Sequence, residues 1–154
     1  MRYQRILVPL DGSRYSKKAL DEAIGIAKLT GGIIYLCTVV SMGSIVPPGS
    51  LLGLVKSASM GELQKRLLRS AKLEAEKLES LQISYCNSKG VKAYYKIIID
   101  GNTAEEILRV AKKKSIDLIV IGSQGLHGIS RIKSLGSVSR NVAELAHCPV
   151  LIVR

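Results

Sequence analysis

Short runs of branched apolar residues alternate along the chain with stretches whose apolar positions recur every three or four residues. This alternation predicts strands and helices joined by parallel crossovers. The first run is Arg5 to Pro9. After Asp11-Gly12-Ser13, the positions Ala19, Ala23, Ile26, Ala27 and Thr30 form one apolar stripe, and Gly31-Gly32 closes a first helix. Ile33 to Val40 is almost wholly apolar, as a strand covered on both faces requires. Leu63, Leu67, Ala71, Ala75, Leu78 and Leu81 share a face of a second helix, predicted to be the longest. From Val91 the period becomes two: Val91, Ala93, Tyr95, Ile97 and Ile99 oppose Lys92 and Lys96, which predicts a half-exposed strand near the sheet edge. Asn102-Thr103-Ala104-Glu105 opens a third helix with capping-box spacing, and Ala104, Ile107, Leu108 and Ala111 form its buried stripe. Asp117 to Ile121 reads as a central strand, Val138, Val142 and Leu145 mark a last helix, and Pro149 leads into a final strand, Val150 to Val153. The order specifies an α/β fold: an open, right-handed, doubly wound five-stranded parallel sheet with four helices, whose ligands bind beyond the carboxyl ends of the strands.

One segment departs from the alternation. At about residues 41–60, Gly43, Pro47-Pro48-Gly49 and Gly53 punctuate scattered apolar residues, which predicts a loop longer than most connections and suited to a lid, a partner-binding segment or local disorder. The 154 residues otherwise make one domain, 1–154, with 47% hydrophobic and 23% charged residues, values that exclude a disordered or fibrous chain. The net charge of +11 raises nucleic acid as a partner. Lys and Arg are spread along the chain, however, and their densest run, Lys112-Lys113-Lys114, falls at a helix end where it complements the dipole. The charge distribution therefore argues against nucleic acid. Cys37, Cys86 and Cys148 show neither a C-x-x-C pair nor zinc-ligand spacing and read as reduced, buried thiols of a cytoplasmic protein. No apolar run is long enough to span a membrane, and the N-terminal Ile6-Leu7-Val8-Pro9 is too short for a signal peptide.

At the carboxyl end of the fourth strand the chain reads Gly122-Ser123-Gln124-Gly125-Leu126-His127-Gly128, and later Gly136-Ser137-Val138-Ser139. Glycines at such a turn let backbone amides approach a ligand, and the following helix adds its positive end, so phosphate is the natural occupant. Ser137 and Ser139 offer hydroxyl donors, and Arg131 or Lys133 could neutralise charge; the alternative is a flexible loop with Ser137 capping the helix. At the tip of the first strand, Asp11 suits a ribose or adenine edge, although Asp11 or Ser13 could instead cap the first helix.

These residues resemble the universal stress protein family, specifically its ATP-binding branch. Ile6-Leu7-Val8-Pro9-Leu10-Asp11-Gly12-Ser13, Asp117-Leu118-Ile119-Val120-Ile121-Gly122-Ser123 and Cys148-Pro149-Val150-Leu151-Ile152-Val153 carry the resemblance. The family's nucleotide motif is a glycine, two residues, a glycine, nine residues, then Gly-Ser or Gly-Thr; here ten residues separate Gly125 from Gly136. The resemblance implies a Rossmann-like fold, also described as adenine nucleotide alpha hydrolase-like. It further implies that Pro9, Asp11 and Val39 line an adenine and ribose pocket, Gly122 meets the ribose, and Gly125, Gly136, Ser137, Val138 and Ser139 hold the phosphates of ATP, with Mg2+. Homodimers paired through the last strand, and a nucleotide-responsive regulatory role in stress response toward an unidentified protein partner, are also implied.

Other nucleotide sites are excluded by direct inspection: there is neither G-x-x-x-x-G-K-[ST] nor G-x-G-x-x-G after the first strand. Ser123 does not stand in G-x-S-x-G, which excludes a hydrolase elbow. Of two histidines, His127 lies in the glycine loop and reads as an exposed loop residue, while His147 beside Cys148-Pro149 reads as structural. Asp11 is the single acid among the candidate site residues, too few to hold a metal and orient a nucleophile for efficient phosphoryl transfer. The chain thus reads as a nucleotide-binding module, not an enzyme. The alternatives are a slow ATPase on the same pocket and a nucleotide-independent module that binds protein or nucleic acid.

Overall fold

The computed structural model describes residues 3–41, 58–99, 101–126 and 134–154. Nine elements follow one another among them: β1 (Arg5–Pro9), α1 (Arg14–Thr30), β2 (Ile33–Val40), α2 (Ala58–Ser88), β3 (Ala93–Ile99), α3 (Thr103–Lys113), β4 (Leu118–Gly122), α4 (Ser137–Leu145) and β5 (Val150–Val153). The strands form one parallel sheet in the order β3-β2-β1-β4-β5, the doubly wound arrangement expected. The strand order reverses between β1 and β4, where their carboxyl ends part and leave a crevice.

Each face of the sheet is apolar because successive side chains alternate sides. Ile6 and Val8, Ile34 and Leu36, and Leu118 and Val120 pack with Ala19, Leu20, Ala23 and Ala27 of α1 and with Cys86 at the end of α2. Leu7, Cys37, Ile119 and Ile121 face the other way onto Ala104, Ile107, Val110 and Ala111 of α3 and Val142 of α4. Local signals set the helix ends. The Ser13 side chain accepts from the Ser16 amide at the start of α1, and Gly31 adopts φ 69° at its end. Asn102 caps α3 through the Glu105 amide, and Lys112 and Lys113 occupy its last turn.

Five expectations, at Leu63, Leu81, Leu145, Asp117 and Cys148, are corrected. Along α2 the buried residues are Ala75 and Cys86, with Leu78 and Ile83 packed beside them, whereas Leu81 is 67% exposed and Leu63 also faces solvent. Eleven residues make just over three full helical turns, so Cys86 returns to the face of Ala75, while Leu81 falls about a third of a turn away. Leu145, the last residue of α4, is 68% exposed, leaving Val142 to anchor the helix. Asp117 precedes β4 rather than starting it, and its carboxylate accepts from the Gln4 and Arg5 amides, fastening β4 to the start of β1. Cys148 is partly exposed; Cys37 and Cys86 are buried, and desolvation pushes their thiols up to about 12 and about 11. The loop read at 41–60 lies outside the described residues except for Ser41 and for Ala58 to Met60, which belong to α2. No helix among the described residues is long and apolar enough to cross a membrane.

Ile119, fully buried in β4 between its partners Leu7 and Val150, tests this packing. Ile119→Ala is expected to lose about 2–5 kcal/mol in guanidinium unfolding. Leu29→Ala, at a position 84% exposed, should change stability by less than about 0.5 kcal/mol. Equal effects would contradict the assigned strand faces.

Candidate nucleotide-binding crevice

At the reversal point, the tip of β1 is built as a tight turn. The Leu10 amide donates to the Cys37 carbonyl (2.8 Å), Gly12 takes φ 82°, and Ser13 begins α1. Asp11 lies between them and leaves the capping to Ser13. Its Oδ1 accepts from the Ser13 amide (2.9 Å), and its Oδ2 accepts from the Leu126 amide (3.1 Å) in the glycine loop after β4. One carboxylate therefore joins the tips of two neighbouring strands, with both bonds strengthened by its charge. Gly125 makes the approach possible, since a Cβ there would stand 2.8 Å from Asp11 Oδ2.

Gly122 has a different reason to be glycine. A Cβ at this position would come within 2.8 Å of the Tyr15 carbonyl carbon, so the bare backbone admits the first turn of α1 against the end of β4. Beyond it, the Ser123 amide donates to the Val153 carbonyl (2.7 Å). The Ser123 carbonyl accepts from the Gly136 amide (2.8 Å) and from the Ser139 hydroxyl (3.0 Å). These bonds seat the start of α4 against the end of β4. Gly136 is the N-cap and supplies no side-chain bond, which excludes Ser137 as the cap. Amides in the first turn of a helix have no acceptor within it, and here the N-cap supplies none and no side chain among the described residues caps them.

The expected site residues thus fall at one end of the sheet. Pro9 closes β1 opposite Cys37, and Val39, half-buried near the end of β2, lies on the same face of the sheet. Asp11, Gly125 and the Gly136-Ser137-Val138-Ser139 turn border the crevice between β1 and β4. Ser139 is 2% exposed with its hydroxyl turned to the Ser123 and Gly136 carbonyls, so this hydroxyl orients the turn. Ser137 is exposed, and Val138 packs on the second core. His127, Arg131 and Lys133 lie outside the described residues, and exposed His147 sits at the opposite end of the sheet, ahead of β5. Two residues escaped the sequence reading. The Thr38 hydroxyl donates to the Leu10 carbonyl (2.8 Å), and the Tyr95 phenol is hydrogen-bonded to Thr38. The available signal was the only polar side chain that can hydrogen-bond strongly within Tyr35-Leu36-Cys37-Thr38-Val39-Val40 apart from Tyr35.

A β3-β2-β1-β4-β5 sheet with its crevice bounded by a strand-tip acid and a bare helix start defines a doubly wound, Rossmann-like α/β protein. The family model described as "Universal stress protein family" matches residues 2–154. A universal stress protein of Bacillus subtilis is 37% identical over 152 residues, covering 99% of both chains. Another, from Methanocaldococcus jannaschii, is 38% identical over 153 residues, covering 99% of this chain and 82% of its own. Among solved structures, protein MJ0577 of the same archaeon superposes with a TM-score of 0.81 at 27% identity, over 99% of this chain and 96% of its own. A universal stress protein from Archaeoglobus fulgidus in complex with dAMP has a TM-score of 0.66 at 23% identity, with 100% of both chains covered. One in complex with cAMP has a TM-score of 0.70 at 24% identity, over 100% of this chain and 99% of its own. The chain belongs to the universal stress protein family.

The two strand-end glycines should respond differently to a methyl group. Gly122→Ala drives its Cβ into the α1 backbone and is expected to lose about 1–3 kcal/mol of stability. Gly125→Ala meets, among the described residues, only the far end of the movable Asp11 carboxylate, which can swing aside, and should lose less than Gly122→Ala. Thermal unfolding of the two variants checks the order, which a larger loss for Gly125→Ala would contradict.

Proposed function

We propose that this chain binds ATP, with Mg2+, in the crevice between β1 and β4 and serves as a nucleotide-responsive homodimeric regulatory module in the cytoplasmic stress response. The observation that carries the reading is the first turn of α4, uncapped by any side chain among the described residues and held by Ser123 at the end of β4, the strand whose following loop reaches the Asp11 carboxylate through Leu126. A turn without a side-chain cap suits an anionic phosphate, because its amides and the helix dipole favour negative charge. Asp11 has accepting capacity left on both oxygens after its two amide bonds, which suits a ribose hydroxyl.

Pro9 and Val39 would bound the adenine, with Gly122 contributing backbone beside the ribose. Gly125, Gly136, Ser137, Val138 and Ser139 would hold the phosphates, Ser139 through its amide because its hydroxyl is already bonded. The ten-residue interval between Gly125 and Gly136 is compatible with this arrangement, since Gly136 is anchored to Ser123 and Leu126 to Asp11 on either side of the added length. Bound nucleotide supplies the charge that the first turn of α4 neutralises. The described crevice brings up Asp11 as its acid, already engaged by two amides, so the module holds nucleotide and any hydrolysis is slow. Relatives of the same fold in complex with dAMP and cAMP support an adenine nucleotide as the ligand class. For pairing, β5 is an edge strand whose Leu151 is 38% exposed between half-buried Val150 and Ile152, a surface suited to a second copy.

Purified chain is expected to release adenine nucleotide on denaturation, detected by mass spectrometry, and to melt higher with ATP and Mg2+. The stabilisation should reach about 2.7 kcal/mol at a hundred times Kd. Asp11→Ala should weaken binding by about tenfold or more, on the order of 1.4 kcal/mol. Absence of both copurified nucleotide and thermal shift would contradict ATP binding and favour a nucleotide-independent interaction module.

A further inference from the structure

The tips of β1 and β2 are tied together behind the crevice. Thr38 is 8% exposed, on the face of β2 that carries Ile34 and Leu36 into the core beneath α1 and α2. Its single hydroxyl hydrogen goes to the Leu10 carbonyl, so the Tyr95 phenol of β3 is the donor in the second bond. Desolvation raises that phenol to about 12, so it stays protonated and able to donate even in mildly alkaline solution. Leu10 is consequently held at both its polar groups, the amide by Cys37 and the carbonyl by Thr38.

The placement of this chain of bonds matters more than its strength. Leu10 immediately precedes Asp11, and Thr38 immediately precedes Val39, so one hydroxyl fixes the spacing between the residues assigned to the ribose and to the adenine. Apolar side chains of matching shape would suit such a buried face, and removing both partners of a buried hydrogen bond is often nearly neutral for stability. Removing one partner alone leaves the other buried group unpaired at a cost of about 1–3 kcal/mol, so a selective effect on binding is told from an effect on folding by amide exchange in β4, away from these bonds. We propose that Thr38 and Tyr95 are positioning residues for the adenosine end of the crevice, holding the Asp11 turn of β1 against the Val39 end of β2 without touching the ligand. The inference rests on the nucleotide reading above and deepens it.

Full-length Tyr95→Phe and Thr38→Val, with Thr38→Ser as the conservative rescue, are to be titrated with ATP and Mg2+ by calorimetry. Amide exchange is followed by NMR at Ser13 and Leu126, the two donors to Asp11, and at Ile119 and Ile121 in β4. Thr38→Val, which removes the bond to Leu10, should raise Kd about fivefold or more, and Tyr95→Phe, which keeps that bond and removes only the donor that orients the Thr38 hydroxyl, should raise it by a smaller factor of about two to three. Thr38→Ser should stay within about twofold, as it keeps the hydroxyl. Exchange at Ser13 and Leu126 should quicken in the disruptive variants while Ile119 and Ile121 stay unchanged. Wild-type affinity in Tyr95→Phe, or exchange that quickens equally throughout β4, overturns the proposal. If wild-type chain binds no adenine nucleotide, the function reading fails separately. The exchange data still decide the positioning claim: quickening confined to Ser13 and Leu126 supports it, and no change overturns it.

Discussion

The carboxylate of Asp11 is the constraint on which the functional end of this molecule depends. It accepts one amide from its own turn and one from the glycine loop, so the ends of β1 and β4 converge at a single charged group. In a doubly wound sheet these two strands carry their connections to opposite faces, and their ends would otherwise part. A neutral acceptor would make the same contacts with about half the strength. The position also demands Gly125, because a Cβ at that residue would occupy the space the carboxylate needs.

The rest of the architecture delivers these groups to one place. Two apolar layers, one beneath α1 and α2 and one beneath α3 and α4, fix the sheet, and Asp117 fastens β1 to β4 at the far end from the crevice. Asp11 and Asp117 thus join the same strand pair at its two ends. Gly122 and Ser123 then bring the first turns of α1 and α4 against the end of β4, one by omitting a side chain and the other by offering a carbonyl. The crevice is the consequence of tight packing around it.

Much of this was legible in the sequence because it is written in local patterns. The five parallel strands and the doubly wound class follow from apolar runs alternating with helices, whereas the order β3-β2-β1-β4-β5 is read from the structure; the Ser13 and Asn102 caps follow from side-chain chemistry within one turn. Asp11, Gly125 and Gly136 could be nominated from glycine spacing and the strand-tip acid. Legibility failed where the deciding partner is distant in sequence. Tyr95 meets Thr38 across 57 residues, and Gly122 owes its identity to Tyr15, a neighbour that no spacing rule connects to it. Leu81 and Leu145 misled for another reason: leucine near the apolar stripe of a helix resembles a core residue until the phase of the helix is known.

The bridge between Asp11 and Leu126 can be observed without any ligand, by following hydrogen exchange of the Leu126 amide in the free chain. That amide is predicted to exchange about tenfold faster or more in Asp11→Ala, which removes its acceptor, while Ile119 in β4 keeps its wild-type rate. A Leu126 amide that exchanges at the same rate in both proteins would contradict the convergence of the two strand ends on which the account stands.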